Sequence, residues 1–308
     1  MIEVKDLKKK YGSKEVLRGL TFSVPEGIVL GFLGQNGAGK STTMNIITGY
    51  LSATDGEVTV GGFNVLEEPD QAKRLIGYLP EQPPLYMDMT VEEYLDFVYD
   101  LKQIRLDKKK HIEEICALVG VDQVYKRLIA NLSKGYKQRV GIVQALIGNP
   151  PVLILDEPTE GLDPKQRIEI RNLITELGKT HTVILSSHIL SEIQEICERI
   201  IIIKDGMIAA DDSTRHLTDP LRGCSDLLVQ ILGPADEVRE ALLEIAGISA
   251  VSCLQETEPG VFEYDVSVRE DADVRRELFG VLSRHGWPLM GLRSRKMSLE
   301  ETFLRLTE

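Results

Sequence analysis

The chain has 308 residues, a length typical of about two domains. Hydrophobic residues make up 43% of it, which is enough to build hydrophobic cores and argues against a disordered protein. The formal net charge of -12 argues against a nucleic-acid binder that works through bulk positive charge.

Cysteine usage and hydropathy restrict the cellular setting. The four cysteines are scattered and form no C-x-x-C pair, which argues against a zinc site or a disulfide framework and favours a reducing compartment. The opening MIEVKDLKKK lacks the apolar core of a signal peptide, and no apolar run approaches the roughly 18 residues of a membrane span. We therefore expect a soluble chain, whose work at a membrane requires a partner subunit.

The first two thirds of the chain alternate between apolar strands and helical patterns. The predicted strands are VLRGLTFSV, GIVLGFLG, GEVTVGG, PVLILDEP, HTVILSSH and RIIIIKDG. The predicted helices are STTMNIITGYL, the charged region from Thr90 to Leu118, PKQRIEIRNLITELG and ILSEIQEIC. Continuous apolar strands that alternate with helices predict an α/β fold with a parallel sheet covered on both faces.

The pattern changes near TDPLRGCSD, where Pro220 and Gly223 indicate a linker. We predict a first domain over 1–217, a linker over 218–225 and a second domain over 226–308. The second domain reads as strand DLLVQIL, helix ADEVREALLEIAG, strands ISAVSCLQ and VFEYDVSVR, helix DADVRRELFGVLSRHG, strand PLMGLRSR and a tail helix SLEETFLRL. The order β-α-β-β-α-β predicts a small α+β ferredoxin-like unit.

The segment GQNGAGKST is the strongest functional signal, because Gly34, Gly39, Lys40 and Ser41 have the G-x-x-x-x-G-K-[ST] spacing of a phosphate loop. Glycines let the backbone wrap closely around phosphates, and the helix that begins near Lys40 presents its positive end. Lys40 adds a charge at the β- and γ-phosphates, and Ser41 can ligate Mg²⁺. A glycine-rich turn without function is the alternative; the apolar strand before it and the helix after it argue against that reading.

Asp156 and Glu157 follow the apolar strand of PVLILDEP. In open α/β sheets ligands bind at the carboxyl ends of the strands. Asp156 suits Mg²⁺, directly or through water, and Glu157 suits activation of the attacking water. The alternative is that the two acids only cap the next helix, which the presence of a phosphate loop makes the weaker reading.

Several further polar positions are ambiguous when each is taken alone. His188 follows a strand, Tyr11 lies near a turn and Gln82 lies in YLPEQPP, and each could be an ordinary packing or loop residue. The stretch LSKGYKQRV, from Leu132 to Val140, reads as a polar turn that enters a helix and carries a plausible anion site.

In order along the chain, these segments resemble the nucleotide-binding subunit of an ABC transporter over about residues 2–210. The matching segments are Tyr11, GQNGAGKST, Gln82, LSKGYKQRV, VLILDEP, EGLDP and His188. The resemblance implies a P-loop NTPase cassette with a mixed or parallel sheet, an antiparallel β subdomain and a helical subdomain over about 83–148.

The resemblance also implies roles for individual residues. Tyr11 would stack on adenine, Gln82 would sense Mg²⁺ and the membrane subunit, Asp163 would communicate between two sites, and His188 would contact the γ-phosphate and act with Glu157 in catalysis. The ATP-binding residues would be Tyr11, Gly34, Gln35, Asn36, Gly37, Ala38, Gly39, Lys40, Ser41, Thr42 and Gln82. The Mg²⁺ ligands would be Ser41, Gln82 and Asp156.

LSKGYKQRV resembles the family's signature sequence, usually LSGGQ, which binds the γ-phosphate of ATP held by the other protomer. The predicted signature residues are Leu132, Ser133, Lys134, Gly135 and Tyr136. Lys134 replaces a glycine and Tyr136 replaces a glutamine, while the hydroxyl of Ser133 and the small Gly135 are kept. Whether Lys134 adds a charge at the phosphate or points to solvent is open at this stage.

The second domain and its closing SLEETFLRLTE resemble subunits of type-2 exporters of the drug-resistance and gliding-motility kinds. A docking domain that enlarges the dimer interface is the simplest role for it. In the region after Gln82, the apolar Leu85, Tyr86 and Met87 either form part of a docking groove for the membrane subunit or pack inside the helical lobe.

We therefore predict an ATPase, with ATP and Mg²⁺ as cofactors, that energises a membrane transporter. The resemblance to type-2 exporters implies that this transporter is an exporter. The partners of the chain would be a second copy of itself or a homologous subunit, and separate membrane-spanning permease subunits at the cytoplasmic face of the membrane. The alternatives are a soluble ABC ATPase that acts on nucleic acid or the ribosome, and a scaffold that binds nucleotide without hydrolysis. The acidic balance and the single cassette argue against the first, and intact Lys40, Asp156, Glu157 and His188 against the second.

Overall fold

The computed structural model describes residues 1–187, 189–214, 227–269 and 272–294, together with Glu300 and Phe303. The chain divides into two compact units, one formed by Met1–Thr214 with Phe303–Glu308 and the other by Arg215–Thr302. The predicted linker over 218–225, the segment SLEETFLRL apart from Glu300 and Phe303, and His188 lie outside the described residues. The domain boundaries predicted from the sequence stay a prediction.

The first unit contains two sheets and the helices that cover them. Its strands are β1 Ile2–Tyr11, β2 Lys14–Val24, β3 Val29–Gly34, β4 Asp55–Val60, β5 Phe63–Asn64, β6 Ile76–Leu79, β7 Val152–Asp156, β8 Thr182–Ser186, β9 Arg199–Lys204 and β10 Met207–Ser213. Its helices are α1 Lys40–Ile47, α2 Pro69–Arg74, α3 Val91–Leu101, α4 Lys108–Val119, α5 Lys134–Leu146, α6 Pro164–Gly178 and α7 Leu190–Ile196.

The central sheet has six strands in the order β10-β9-β3-β8-β7-β6. Neighbouring strands from β9 to β6 pair in parallel, and β10 adds an antiparallel edge. Every residue of β3, β7 and β8 is buried, as expected for parallel strands covered on both faces. The parallel sheet predicted from the apolar runs is confirmed, and it brings the ends of β3, β7 and β8 to one edge.

A second, antiparallel sheet has the order β2-β1-β4-β5. Its long strand β1 was not predicted, because the sequence IEVKDLKKKY lacks regular alternation. The register shifts between Val4 and Leu7, and Asp6 there adopts φ 46°, a conformation that permits a β-bulge. The bulge keeps Ile2, Val4 and Leu7 buried in the same core although their spacing changes from two residues to three.

The helices α3, α4 and α5 lie between β6 and β7, within the range expected for the helical subdomain. Helix α3 begins with a capping box in which the Thr90 hydroxyl accepts from the Glu93 N–H and the Glu93 carboxylate accepts from the Thr90 N–H. Helix α1 ends at Ile47, several residues before the predicted end, because Gly49 adopts φ 68° and stops the helix.

The second unit has the order β11 Leu227–Leu232, α8 Ala235–Leu243, β12 Ile248–Glu258, β13 Val261–Val268, α9 Arg275–His285 and β14 Leu289–Ser294. Its antiparallel sheet has the order β12-β13-β11-β14. Val229 and Tyr264 pair across β11 and β13 and are fully buried with Leu242 and Leu278 from the two helices. The order β-α-β-β-α-β agrees with the prediction, and the ferredoxin-like assignment rests on that order alone.

Across the described ranges, the helices are too short or too polar to cross a bilayer.

Candidate functional site: a phosphate loop at the edge of a parallel sheet

The loop from Gln35 to Gly39 joins the buried strand β3 to helix α1. Gly39 is the N-cap of α1 with φ 113°, and a Cβ there would lie 2.5 Å from Leu17 Cδ2. A Cβ on Gly34 would lie 2.6 Å from the carbonyl oxygen of Ile203. Both glycines are therefore required by close packing, which places the loop against β2 and β9 and leaves the amino end of α1 directed at a ligand.

Lys40 is the first residue of α1 and is only 7% exposed. Its Nζ donates to the carbonyl oxygens of Gly34 at 2.6 Å and Gln35 at 3.3 Å, so the ammonium lies inside the loop. Burial lowers the pKa of Lys40, while the nearby carboxylates of Glu157 and Asp156 oppose that shift. A buried cation that donates to two carbonyl oxygens is well placed to gain from a phosphate anion.

Asp156 ends β7, and both it and Glu157 are buried. The hydroxyl of Ser186, at the end of β8, donates to Asp156 Oδ1 and accepts from the Glu157 backbone N–H at 2.9 Å. Glu157 adopts φ 48°, an unusual conformation for a non-glycine residue that is often found at functional sites. Ser186, on the neighbouring strand, thus fixes the carboxylate of Asp156 and the backbone at Glu157. Neither acid caps the next helix, whose N-cap is Asp163.

Sequence reasoning missed Ser186. Its hydroxyl is close to Asp156 because β7 and β8 are parallel and pair Asp156 with Ser186. The available signal was its position at the end of an apolar strand in HTVILSSH, which is the same edge that Asp156 occupies.

A cavity of about 790 Å³ opens beside the loop, and Ser41, Gln82 and Asp156 all line it. The structure therefore brings together the three residues predicted as Mg²⁺ ligands, of which Ser41 and Asp156 lie more than a hundred positions apart in the chain. Hydroxyl, amide and carboxylate oxygens suit a hard divalent cation, so these residues fit the predicted ion.

The same cavity contains two residues that the sequence did not indicate. One is Glu81, which precedes Gln82. Burial has the largest effect in raising its pKa, and the neighbouring carboxylates of Glu160 and Asp156 add to it. Burial also lowers the pKa of Lys102 to about 8, and its Nζ donates to the carbonyls of Gln144 and Ile147 at the end of α5, both at 2.9 Å. The cavity thus extends from the phosphate loop to the helical lobe.

Tyr11 ends β1 and is 50% exposed, so its ring is accessible to a flat ligand. The Nζ of Lys9 lies 5.2 Å from the centroid of that ring, within the range of a cation–π contact. The predicted adenine contact remains a prediction.

The predicted signature residues do not belong to this cavity. Ser133 is the N-cap of α5, and its hydroxyl accepts from the Tyr136 N–H at 3.4 Å. Leu132 and Gly135 are buried, whereas Ser133 and Lys134 are exposed. The amino end of α5 is therefore a second exposed helix start, and its polar atoms are available to a partner.

Asp163 is the N-cap of α6, where its carboxylate accepts from the Gln166 N–H at 2.9 Å. Asp163 therefore stabilises the start of α6 within its own chain. Its predicted role in communication between protomers stays a prediction. His188 lies outside the described residues, and its predicted contact with the γ-phosphate stays a prediction.

A parallel sheet with a glycine-rich loop before α1, a buried lysine in that loop and an acidic pair at the end of β7 define a P-loop nucleotide-binding protein. The antiparallel sheet and the helices between β6 and β7 make this unit an ABC cassette. The family model described as ABC transporter matches residues 17–160.

Relatives extend this match along the whole chain. The linearmycin resistance ATP-binding protein LnrL of Bacillus subtilis is 34% identical over 311 residues, which cover 100% of this chain and 98% of that protein. The bacitracin transport ATP-binding protein BcrA of Bacillus licheniformis is 39% identical over 219 residues, 70% of this chain and 71% of that protein. The chain belongs to the ABC transporter family as an ATP-binding subunit.

Solved structures agree with the fold. A dimeric ATP-binding cassette in a post-hydrolysis state with ADP and Pi has a TM-score of 0.64 and 28% identity, and covers 70% of this chain and 99% of that chain. A structure of an ATP-binding subunit of an ABC transporter has a TM-score of 0.65 and 31% identity, with 70% and 91% coverage. The activity of this chain is accordingly the hydrolysis of ATP to ADP and phosphate.

Proposed function

We propose that this chain is the ATP-hydrolysing subunit of an exporter, and that two copies of it, or one copy and a homologous subunit, close around ATP. The observation that carries the proposal is the separation of two helix starts in one chain. The amino end of α1 forms a complete phosphate loop, whereas the exposed amino end of α5 does not line the cavity beside that loop. Two copies related by a two-fold axis can place each α5 against the other copy's nucleotide.

In the proposed site each residue of this chain has a defined task. The phosphate loop and Lys40 bind and orient the phosphates, and Ser41, Gln82 and Asp156 hold Mg²⁺, which supplies charge stabilisation when it is bound. Glu157, fixed by Ser186, accepts a proton from the attacking water. Hydrolysis and product release then reopen the dimer.

The proposed closure is tested by cross-linking in a Glu157→Gln background, which retains ATP. One chain carries Asn36→Cys and the other Ser133→Cys, each with a different tag. Asn36 is exposed whereas Ala38 in the same loop is only 7% exposed, so Asn36 offers the reachable thiol. We expect a short cross-linker that reacts with two thiols to give a product with both tags in the presence of ATP, since both residues approach one phosphate group.

The native cysteines determine the control. Cys116 and Cys197 are buried, and burial raises the pKa of both thiols, so they can stay. Cys253 is exposed and is replaced, together with Cys224. A chain that carries both new cysteines serves as the comparison. If it reacts only with itself at monomer mass, the two stretches meet within one chain and the shared site is wrong.

We further propose that the permease subunit binds beside Gln82, at the cytoplasmic face of the membrane. The structure divides the three apolar residues predicted for this groove. Leu85 is 8% exposed and packs inside the lobe, whereas Tyr86 and Met87 are 48% and 46% exposed. The ring of Tyr86 lies 5.5 Å from that of Phe97 on α3, and together these three exposed side chains form an apolar surface.

Tyr86→Glu is expected to abolish co-purification with a co-expressed permease subunit, because it places a charge in an apolar contact. Phe279→Glu is the matched control, since Phe279 is a 63% exposed aromatic residue on α9 of the second unit. The measurement is pull-down from detergent, with ATP hydrolysis by the free subunit as the check of folding. Equal recovery of the permease with Tyr86→Glu and with the unchanged chain would remove this surface from the interface.

A further inference from the structure

The amino ends of α5 and α6 touch within a single chain, at the signature sequence. A Cβ on Gly135 would lie 2.6 Å from Oε1, 2.7 Å from Cδ and 2.9 Å from Nε2 of Gln166. The three atoms of the Gln166 amide thus occupy the space that a side chain at position 135 needs. Gln166 of the same chain therefore fills the space that Gly135 leaves by having no side chain.

The backbone of Gln166 is fixed by the EGLDP segment. Asp163 caps α6 by accepting the Gln166 N–H at 2.9 Å, and Gln166 is half-buried. A continuous set of contacts therefore leads from Asp163 through Gln166 to Gly135. The family resemblance assigns Gly135 to the partner's site and Asp163 to communication between sites.

Two neighbouring contacts extend the same junction. The side chain of Lys134 crosses Gly161, with its Nζ 2.2 Å and its Cε 3.1 Å from the position of a Cβ on that glycine, whose φ is 66°. One turn further along α5, Arg139 forms an ion pair with Glu169 of α6, and the arginine side chain is only 16% exposed. Lys134 is thus directed at the EGLDP turn of its own chain.

We propose that Gln166 is a positioning residue for the signature: its amide holds Gly135 and the start of α5 against the EGLDP turn, so that both reach the partner's ATP as one unit. The inference rests on the proposed shared site. A signature glycine is expected to make room for the phosphate of the partner's ATP. In this chain Gly135 also makes room for Gln166 of the same chain.

The two purposes predict different outcomes for a double variant. Gly135→Ala keeps the backbone N–H but introduces a Cβ where the Gln166 amide lies, so the flexible end of Gln166 has to turn away from residue 135. If the loss of this contact causes the defect, Gln166→Ala has the same defect and the double variant is no worse than either single variant. If instead the new methyl group blocks the partner's phosphate, the losses caused by the two substitutions are independent and multiply.

The experiment compares Gly135→Ala, Gln166→Ala and the double variant by steady-state ATP hydrolysis and by the ATP-dependent cross-link between Asn36→Cys and Ser133→Cys. We expect Gly135→Ala and Gln166→Ala each to lower kcat by about tenfold, together with the cross-link yield, and the double variant to be no slower than either, as for residues in direct contact. Lys165→Ala, an exposed neighbour on the same helix, should leave kcat unchanged. ADP affinity, which reports the phosphate loop alone, should be equal in all variants.

A double variant about a hundredfold slower than the unchanged chain overturns the inference, because the two losses are then independent and Gly135 serves the partner's phosphate. A Gln166→Ala variant with the kcat and cross-link yield of the unchanged chain overturns it as well. Failure of the proposed function is distinguishable, because the cysteine pair would then show no ATP-dependent product even in the chain with Gly135 and Gln166 intact.

Discussion

Glu157→Gln is expected to lower kcat by about 10²–10⁴-fold while it retains ATP binding, because general-base catalysis contributes a factor of about that size. Glutamine has the shape of glutamate but does not accept a proton at neutral pH. The backbone N–H of residue 157 would still donate to the Ser186 hydroxyl, as it does at 2.9 Å in the unchanged chain. The position of the backbone should therefore be kept while the chemistry of the side chain is lost.

The measurement is phosphate release at saturating ATP, alongside equilibrium binding of ATP. Glu160→Gln is the matched control, since it changes another carboxylate of the same loop that contacts Glu81 rather than the end of β7. It should affect kcat far less. Near-normal hydrolysis by Glu157→Gln would remove Glu157 from the role of general base.

Lys40→Ala is expected to weaken nucleotide binding strongly. Loss of one member of a buried charged hydrogen-bonded pair costs about 2–5 kcal/mol, and every 1.4 kcal/mol is about tenfold in affinity. Without nucleotide, the Lys40 ammonium is buried and burial lowers its pKa, so the folded state disfavours this charge. The variant should consequently stay folded while it loses the gain in stability that ATP confers.

Thermal unfolding with and without ATP measures this effect. Lys40→Met provides the control, because it keeps the buried stem and removes only the charge. We expect Lys40→Met to lose the ATP-dependent rise in Tm as fully as Lys40→Ala. A normal ATP response in Lys40→Met would show that the stem packing matters and the charge does not.

Much of the site could be predicted because its parts are local. The phosphate loop joins a strand to a helix over nine consecutive residues, and its glycines and lysine serve that short geometry. The acidic pair comes directly after a short run of apolar residues, which is typical of a buried strand. Helix α6, Pro164–Gly178, was predicted with the bounds that the structure has, whereas the region predicted as helical from Thr90 to Leu118 contains two helices, α3 and α4.

Irregular elements were harder. Strand β1 was missed because the bulge at Asp6 interrupts the alternation of buried and exposed residues. The groove region was predicted only as a group of apolar residues, and burial separates Leu85 from the exposed Tyr86 and Met87. In both cases the sequence shows the composition of the segment but not which side of the chain faces the core.

By itself the sequence determined that this chain is an ATP-binding cassette, because the phosphate loop, the acidic strand end and the signature each depend on residues adjacent in the chain. Only the tertiary structure decided that Ser186 holds Asp156 and Glu157, that Ser41, Gln82 and Asp156 share a cavity, and that Gln166 fills the space beside Gly135. The reason is physical. Such contacts join residues about 30 to more than 100 positions apart, and they are set by the order and register of parallel strands and by helix packing, which local patterns do not encode.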